Sequence, residues 1–206
     1  MSLTLIVVAV AMAGRAGDAA DTRQPSPAAG AAFEKHRKAG TLFDVAALKE
    51  FNQNGWKRDY AALLRDCWKG QAVDGVSLSV SGLPNHVYHT GEMFDCTASV
   101  TNEGQEPRMF DTGGSCGMTD ALTLMVISLS DGQFHTVHGK NFGPHCFCRP
   151  QREIAQSGKT LKLATGFASK KAVGWMPMAP GKYLVIGVYA LGEPIKRTAT
   201  VYSPPL

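Results

Sequence analysis

The chain has 206 residues, of which 44% are hydrophobic and 18% charged. That is room for one packed domain with an appendage, and it excludes a composition of the disordered type. The 21 basic and 17 acidic residues are interspersed, so the formal charge of +4 makes no basic face, and nucleic-acid binding is not expected.

The first residues read MSLTLIVVAVAMAGRAGDAADT. Residues 3–13 are an unbroken apolar or small-residue run of signal-peptide length, short of the about 20 residues needed to span a bilayer. Ala11 with Ala13, or Gly17 with Ala19, supplies the small side chains that a signal peptidase reads. Residues 1–19 are therefore expected to be a signal peptide. The product is then periplasmic or secreted, with no membrane span in the mature chain. Residues 20–32 are small, polar and Pro-containing without periodicity, which predicts a flexible linker.

Residues 33–72 have helical character. Val45, Leu48 and Phe51 fall near helical spacing and are stopped by Asn54-Gly55. Tyr60, Leu63, Leu64 and Cys67 then follow the i, i+3, i+4, i+7 rule, with Trp56 a turn earlier and Trp68 beside them. Such a stripe must be buried, and the expectation is a small helical hairpin docked on the domain that follows.

After a hinge at 70–75 the period changes to two. In VSLSVSGL (76–83), Val76, Leu78 and Val80 alternate with serines. In MFDCTASVTNEG (93–104), Phe94, Cys96, Ala98 and Val100 share one face, and Asn102-Glu103-Gly104 closes the run as a turn. The segment 121–132 is almost continuously apolar, as a central strand is, and further strands are predicted at 133–137, 160–164, 182–190 and 196–202. About seven short strands with turns between them predict a mainly β fold, an antiparallel β-sandwich of the immunoglobulin-like kind over 75–206, with a short N-terminal helical segment.

Two stretches carry a resemblance. YHTGEMFDCTASVTNEG (88–104) and MAPGKYLVIGVYA (178–190) resemble the early and closing strands of bacterial immunoglobulin-like domains. A Gly-Glu turn leads into a strand ending Val-x-Asn, and a Pro-Gly-Lys-Tyr turn opens the penultimate strand. Among these domains the chain is most similar to the intracellular proteinase inhibitor family, over roughly residues 75 to 203. The resemblance implies the sandwich and, as one alternative activity, inhibition of a proteinase.

The expected compartment makes the cysteines candidates for disulfides. Cys96 lies on the core-facing side of its strand, Cys116 in the Gly-rich DTGGSCGMTD, and Cys146 and Cys148 in HGKNFGPHCFCRP. A bond between Cys146 and Cys148 would close too tight a ring. The expectation is two bridges joining Cys96 and Cys116 to Cys146 and Cys148, the pairing left open, with Cys67 free. Each would close a loop of roughly 30 to 50 residues and stabilise the fold by about 3–4 kcal/mol through chain entropy.

The same segment supports a competing metal reading. His135, His138, His145, Cys146 and Cys148 offer imidazole and thiolate ligands, with Met176 and Met178 as thioether donors. Two Cys with two His suit zinc, and added thioether suits copper, although the spacing is that of neither a zinc finger nor a haem attachment site. No Gly-x-Ser-x-Gly elbow, phosphate-cradling glycine loop or His-Glu-x-x-His occurs, so an enzyme is not expected. The leading expectation is an exported non-catalytic module without a cofactor, binding a protein or cell-envelope component. Its site would be the loop 131–150, with Phe142 and Phe147 as contacts and Met176 and Met178 as neighbours.

Overall fold

The computed structural model describes residues 24–81, 97–114, 121–138, 150–163, 181–193 and 196–206. It is mainly β, with antiparallel sheets and three short helices. No helix among the described residues is long and apolar enough to cross a membrane.

Helix α1 spans Pro27–Ala39 and so begins inside the stretch 20–32 that composition reads as linker. The reason is local. Ser26 is extended and its Oγ accepts the Ala29 N–H at 3.2 Å, while Pro27 stands where a helix has no use for a backbone donor. The Ala-rich turns that follow propagate well. Gly40, at φ 69, ends the helix in the left-handed conformation, with its N–H on the Arg37 carbonyl. Helix α2 (Val45–Gln53) follows, and the turn at Asn54-Gly55 leads into α3 (Lys57–Cys67).

The helices meet through aromatic rings. Tyr60 packs against Phe51 at 4.6 Å and against Phe33 at 6.2 Å, and its hydroxyl donates to the Leu42 carbonyl at 2.8 Å. Burial pushes that phenol far above its ordinary pKa. Two members of the apolar stripes fall elsewhere than the spacing predicts. Val45, at the first position of α2, is 82% exposed, and Cys67 is an exposed free thiol at the end of α3. Trp68, the next residue, leaves the helix in an extended conformation and is buried instead.

The strands are β1 (Val76–Ser81), β2 (Thr97–Asn102), β3 (Arg108–Gly114), β4 (Leu122–Ser128), β5 (Phe134–His138), β6 (Pro150–Ala155), β7 (Thr160–Leu163), β8 (Tyr183–Glu193) and β9 (Lys196–Tyr202). They form a four-stranded sheet in the order β5-β4-β8-β9, a three-stranded sheet β1-β2-β7, and a ribbon β3-β6, every pair antiparallel. One core unites them. Val76, Leu78, Val80, Ala98 and Val100 from one sheet meet Leu124, Val126, Val185, Tyr189 and Val201 from the other, with Phe110 and Ala155 from the ribbon.

The opposite face of the four-stranded sheet is covered too. Ile127, Leu184 and Ile186 pack into the helical cluster with Phe33, Phe51, Tyr60, Leu64 and Trp68. This explains the near-continuous apolar run of β4, which is buried on both sides. The helices are therefore docked on the domain, as a layer over that face of the sheet.

The two sheets come close at Gly187, where a Cβ would sit 2.5 Å from Val80 Cγ2 and 3.1 Å from Leu78 Cδ2. Val80 is β-branched and cannot swing away without leaving its rotamer. Gly187→Ala is expected to destabilise the protein by about 1–3 kcal/mol through overpacking, read as a lower urea midpoint at unchanged m-value. An unchanged midpoint would show that the sheets have slack there.

Strands β3 and β6 lie where the sequence shows only connections. PQREIA opens on Pro, and Gln151, Arg152, Glu153 and Ile154 are all exposed, so no alternation marks it. RMFDTGG carries a bulge, which breaks the period of two from within.

Candidate functional site

The sequence-predicted loop 131–150 includes β5, the edge strand of the four-stranded sheet, and ends at Pro150, the first residue of β6 in the ribbon. His145, Cys146, Cys148, Phe142 and Phe147 lie outside the described residues, as do Cys96, Cys116, Met176 and Met178. The backbone at 135 and 138 is described. Position 135 stands opposite Val126 and position 138 opposite Thr123. Among the described residues, no group of three or more His, Cys, Asp or Glu gathers as a metal set.

What the structure does build here is the ribbon β3-β6 on which the loop ends. Its pairs run from Arg108 opposite Ala155 to Asp111 opposite Arg152, then Gly113 opposite Gln151 and Gly114 opposite Pro150. Thr112 is the extra residue, a β-bulge, and Gly113 follows at φ 123, a conformation that suits glycine. The buried Thr112 hydroxyl lies 3.3 Å from the Gln151 carbonyl and 3.1 Å from Glu153 Oε1. Asp111 Oδ1 accepts the Gly113 N–H at 3.2 Å.

Two buried side chains pin this ribbon to the sheets, and sequence reasoning gave neither that role. Tyr189 lies on β8, and its hydroxyl accepts the Asp111 N–H at 2.9 Å and donates to the Asp111 carbonyl at 2.9 Å. Burial, chiefly, raises that phenol far above its usual pKa, so it stays a donor at any physiological pH. Asn102, fully buried at the end of β2, donates to the Ala155 carbonyl at 2.9 Å and the Glu106 carbonyl at 2.8 Å, while its Oδ1 accepts the Gly104 N–H at 3.1 Å. The Val-x-Asn signature marked Asn102 as a turn residue; only its partners reveal a clamp.

Tyr189→Phe keeps the ring and deletes the hydroxyl. It is expected to cost about 1–3 kcal/mol, because the Asp111 peptide loses both partners. Amide exchange should speed up in β3 and β6 before it does in β4 and β8. Uniform acceleration across all four strands would show that the hydroxyl does not act locally.

The other face of the ribbon carries one open apolar pair, next to the charged pair Asp111 and Arg152. Met109 and Ile154 are cross-strand partners, and each is 60% exposed. Isolated exposed hydrophobics are ordinary, but two opposite one another make a contiguous patch.

A second polar cluster ties α1 to α2. His36 is buried, with Nδ1 2.9 Å from Thr41 Oγ1 and Nε2 2.9 Å from Glu50 Oε2. Lys35 Nζ donates to the same carboxylate at 2.8 Å. The Lys35 hydrogen bond, then that of His36, holds the Glu50 carboxyl below its usual range. With both ring nitrogens engaged, His36 is held in orientation and joins the helix termini.

No protein-family model matches the chain, and no curated protein and no solved structure matches it.

Proposed function

We propose that the chain is an exported, non-catalytic immunoglobulin-like module that binds a protein or cell-envelope component. Its binding surface is the β3-β6 ribbon and the loop that feeds it. The observation that carries this reading is the open Met109–Ile154 pair on a ribbon held rigid from behind by Tyr189 and Asn102. A rigid element presenting apolar side chains to solvent is what an interaction site requires, because little conformational entropy is lost on contact. The shared β core, the antiparallel pairing and the strand motifs at 88–104 and 178–190 support the immunoglobulin-like assignment. The apolar run at 3–13 supports export.

The test is a photo-crosslinking residue placed at Ile154, and separately at the exposed Ser79 on β1, in the producing cell. Adducts of discrete mass from position 154 and none from position 79 are expected, with the protein in the extracytoplasmic fraction and its leader removed. Equal labelling from both positions would overturn the binding surface. A cytosolic protein with an intact leader would overturn export. Stoichiometric copper or zinc in the purified native protein would move the assignment to metal handling.

A further inference from the structure

We propose that the ribbon takes its partner as an added β-strand. An extended segment of another protein pairs antiparallel with the outer edge of β6 and presents, from N- to C-terminus, an apolar, a basic and an acidic residue. This deepens the binding reading above and rests on it for the choice of surface.

The bonds of Asp111 show which way the backbone groups of the ribbon point. Its N–H and its carbonyl are both bonded to the Tyr189 hydroxyl. In an antiparallel pair the two groups of one residue point to the same side, so Asp111 turns away from β6 and its partner Arg152 turns away from β3. Alternation sends the N–H and carbonyl of Ile154 outward with those of Arg152, and those of Glu153 inward to β3. Among the described residues nothing bonds the outward groups of Arg152 and Ile154. One edge of the ribbon is thus closed at Asp111 by Tyr189, and the other is open along the exposed residues 151–154. Open edge groups of this kind are a template for a strand from another chain.

The side chains choose the partner. Ile154 is 60% exposed with Met109 beside it, so a residue set opposite Ile154 is best apolar. Glu153, whose carboxylate accepts the Thr112 hydroxyl at 3.1 Å, favours a base opposite it, and Arg152 favours an acid. Antiparallel pairing is the more stable per residue, which fixes the order as apolar, basic, acidic. A second copy of β6 fits poorly, because turned about Glu153 it sets that carboxylate against itself and Arg152 against Ile154. The charges that select a partner therefore also keep the edge from its own kind.

Amide exchange in the isotopically labelled full chain is followed by nuclear magnetic resonance, alone and with the synthetic peptide Thr-Thr-Val-Lys-Glu-Thr-Thr. In the free chain the Arg152 and Ile154 amides should exchange faster than that of Glu153. The peptide should slow those two and leave Glu153 unchanged. Thr-Thr-Val-Glu-Lys-Thr-Thr, in which each charge meets its like, should bind about tenfold more weakly. Arg152→Pro removes an outward donor without breaking the ladder, a place where an edge strand tolerates proline. It should bind the first peptide more weakly than Arg152→Gln, which keeps the donor. Arg152 and Ile154 amides already as slow as Glu153 in the free chain would overturn strand addition. So would equal affinity for the two peptides, or equal binding by the two variants with the Glu153 amide still protected. If the peptide leaves both edge amides fast while position 154 still gives discrete adducts in the cell, strand addition falls and the binding surface stands. If the edge takes the peptide but position 154 labels no better than position 79, the cellular reading falls and the edge chemistry stands.

Discussion

Trp68→Ala is expected to lower the unfolding free energy by about 3–5 kcal/mol, the range for truncating a buried large aromatic. Trp68 is the hinge point between the helical layer and the sheet. It is buried, its indole N–H donates to the Ser203 carbonyl at 2.9 Å, and Phe43 packs edge-on against it at 5.3 Å. Phe43 in turn stacks on Tyr202 at 4.2 Å, so the loss spreads along a chain of rings. Trp68→Phe separates the two contributions. It keeps much of the apolar surface and leaves a buried carbonyl unpaired, a cost of about 1–3 kcal/mol. Urea melts followed by far-ultraviolet circular dichroism read both. If the two variants lose the same stability, the hydrogen bond carries the docking and packing is secondary.

Asn102→Ala is expected to cost about 2–3 kcal/mol, because it strips the buried Ala155 carbonyl and the more open Glu106 carbonyl of their donor. The backbone of Asn102 is committed as well, its N–H to the Lys159 carbonyl at 3.0 Å and its own carbonyl to the Gly158 N–H at 2.7 Å. The side chain thus fastens β2 to the ribbon at the point where the backbone fastens it to the β6–β7 turn. Asn102→Asp nearly preserves volume but replaces the donor amide with an oxygen aimed at carbonyls. It should be at least as destabilising as the alanine, and less so under acid, where the carboxyl regains a proton to donate. A tolerated aspartate at neutral pH would mean that the amide's donors are dispensable.

Much of the β framework was legible because one physical pattern, burial of one face, writes itself into alternate residues. VSLSVS and TASV show it, and the structure buries Val76, Leu78, Val80, Ala98 and Val100 accordingly. The apolar run of β4 announced a central strand, and the strand lies between β5 and β8. The ribbon was illegible for the converse reason. Its buried contribution is Phe110, Thr112 and Ala155, scattered across a bulge and separated in sequence, and its exposed Met109 and Ile154 mimic nothing periodic. The start of α1 was hidden because Ser-Pro serves turns as readily as helix caps. At the candidate site, the ribbon's register turns on one unpaired residue, Thr112, and a single threonine leaves no periodic mark in the sequence.

The composition break at 72–75 looks like a place to divide the protein, and the two-sided burial of the four-stranded sheet argues otherwise. A fragment starting at residue 76 would expose Ile127, Phe134, Leu184 and Ile186 together as a bare wall. Such a fragment is expected to self-associate rather than behave as an autonomous unit, and the leading helices would have no surface on which to fold. Screening designs that treat the first seventy residues as a disposable arm would therefore study two insoluble halves of something that works only when whole.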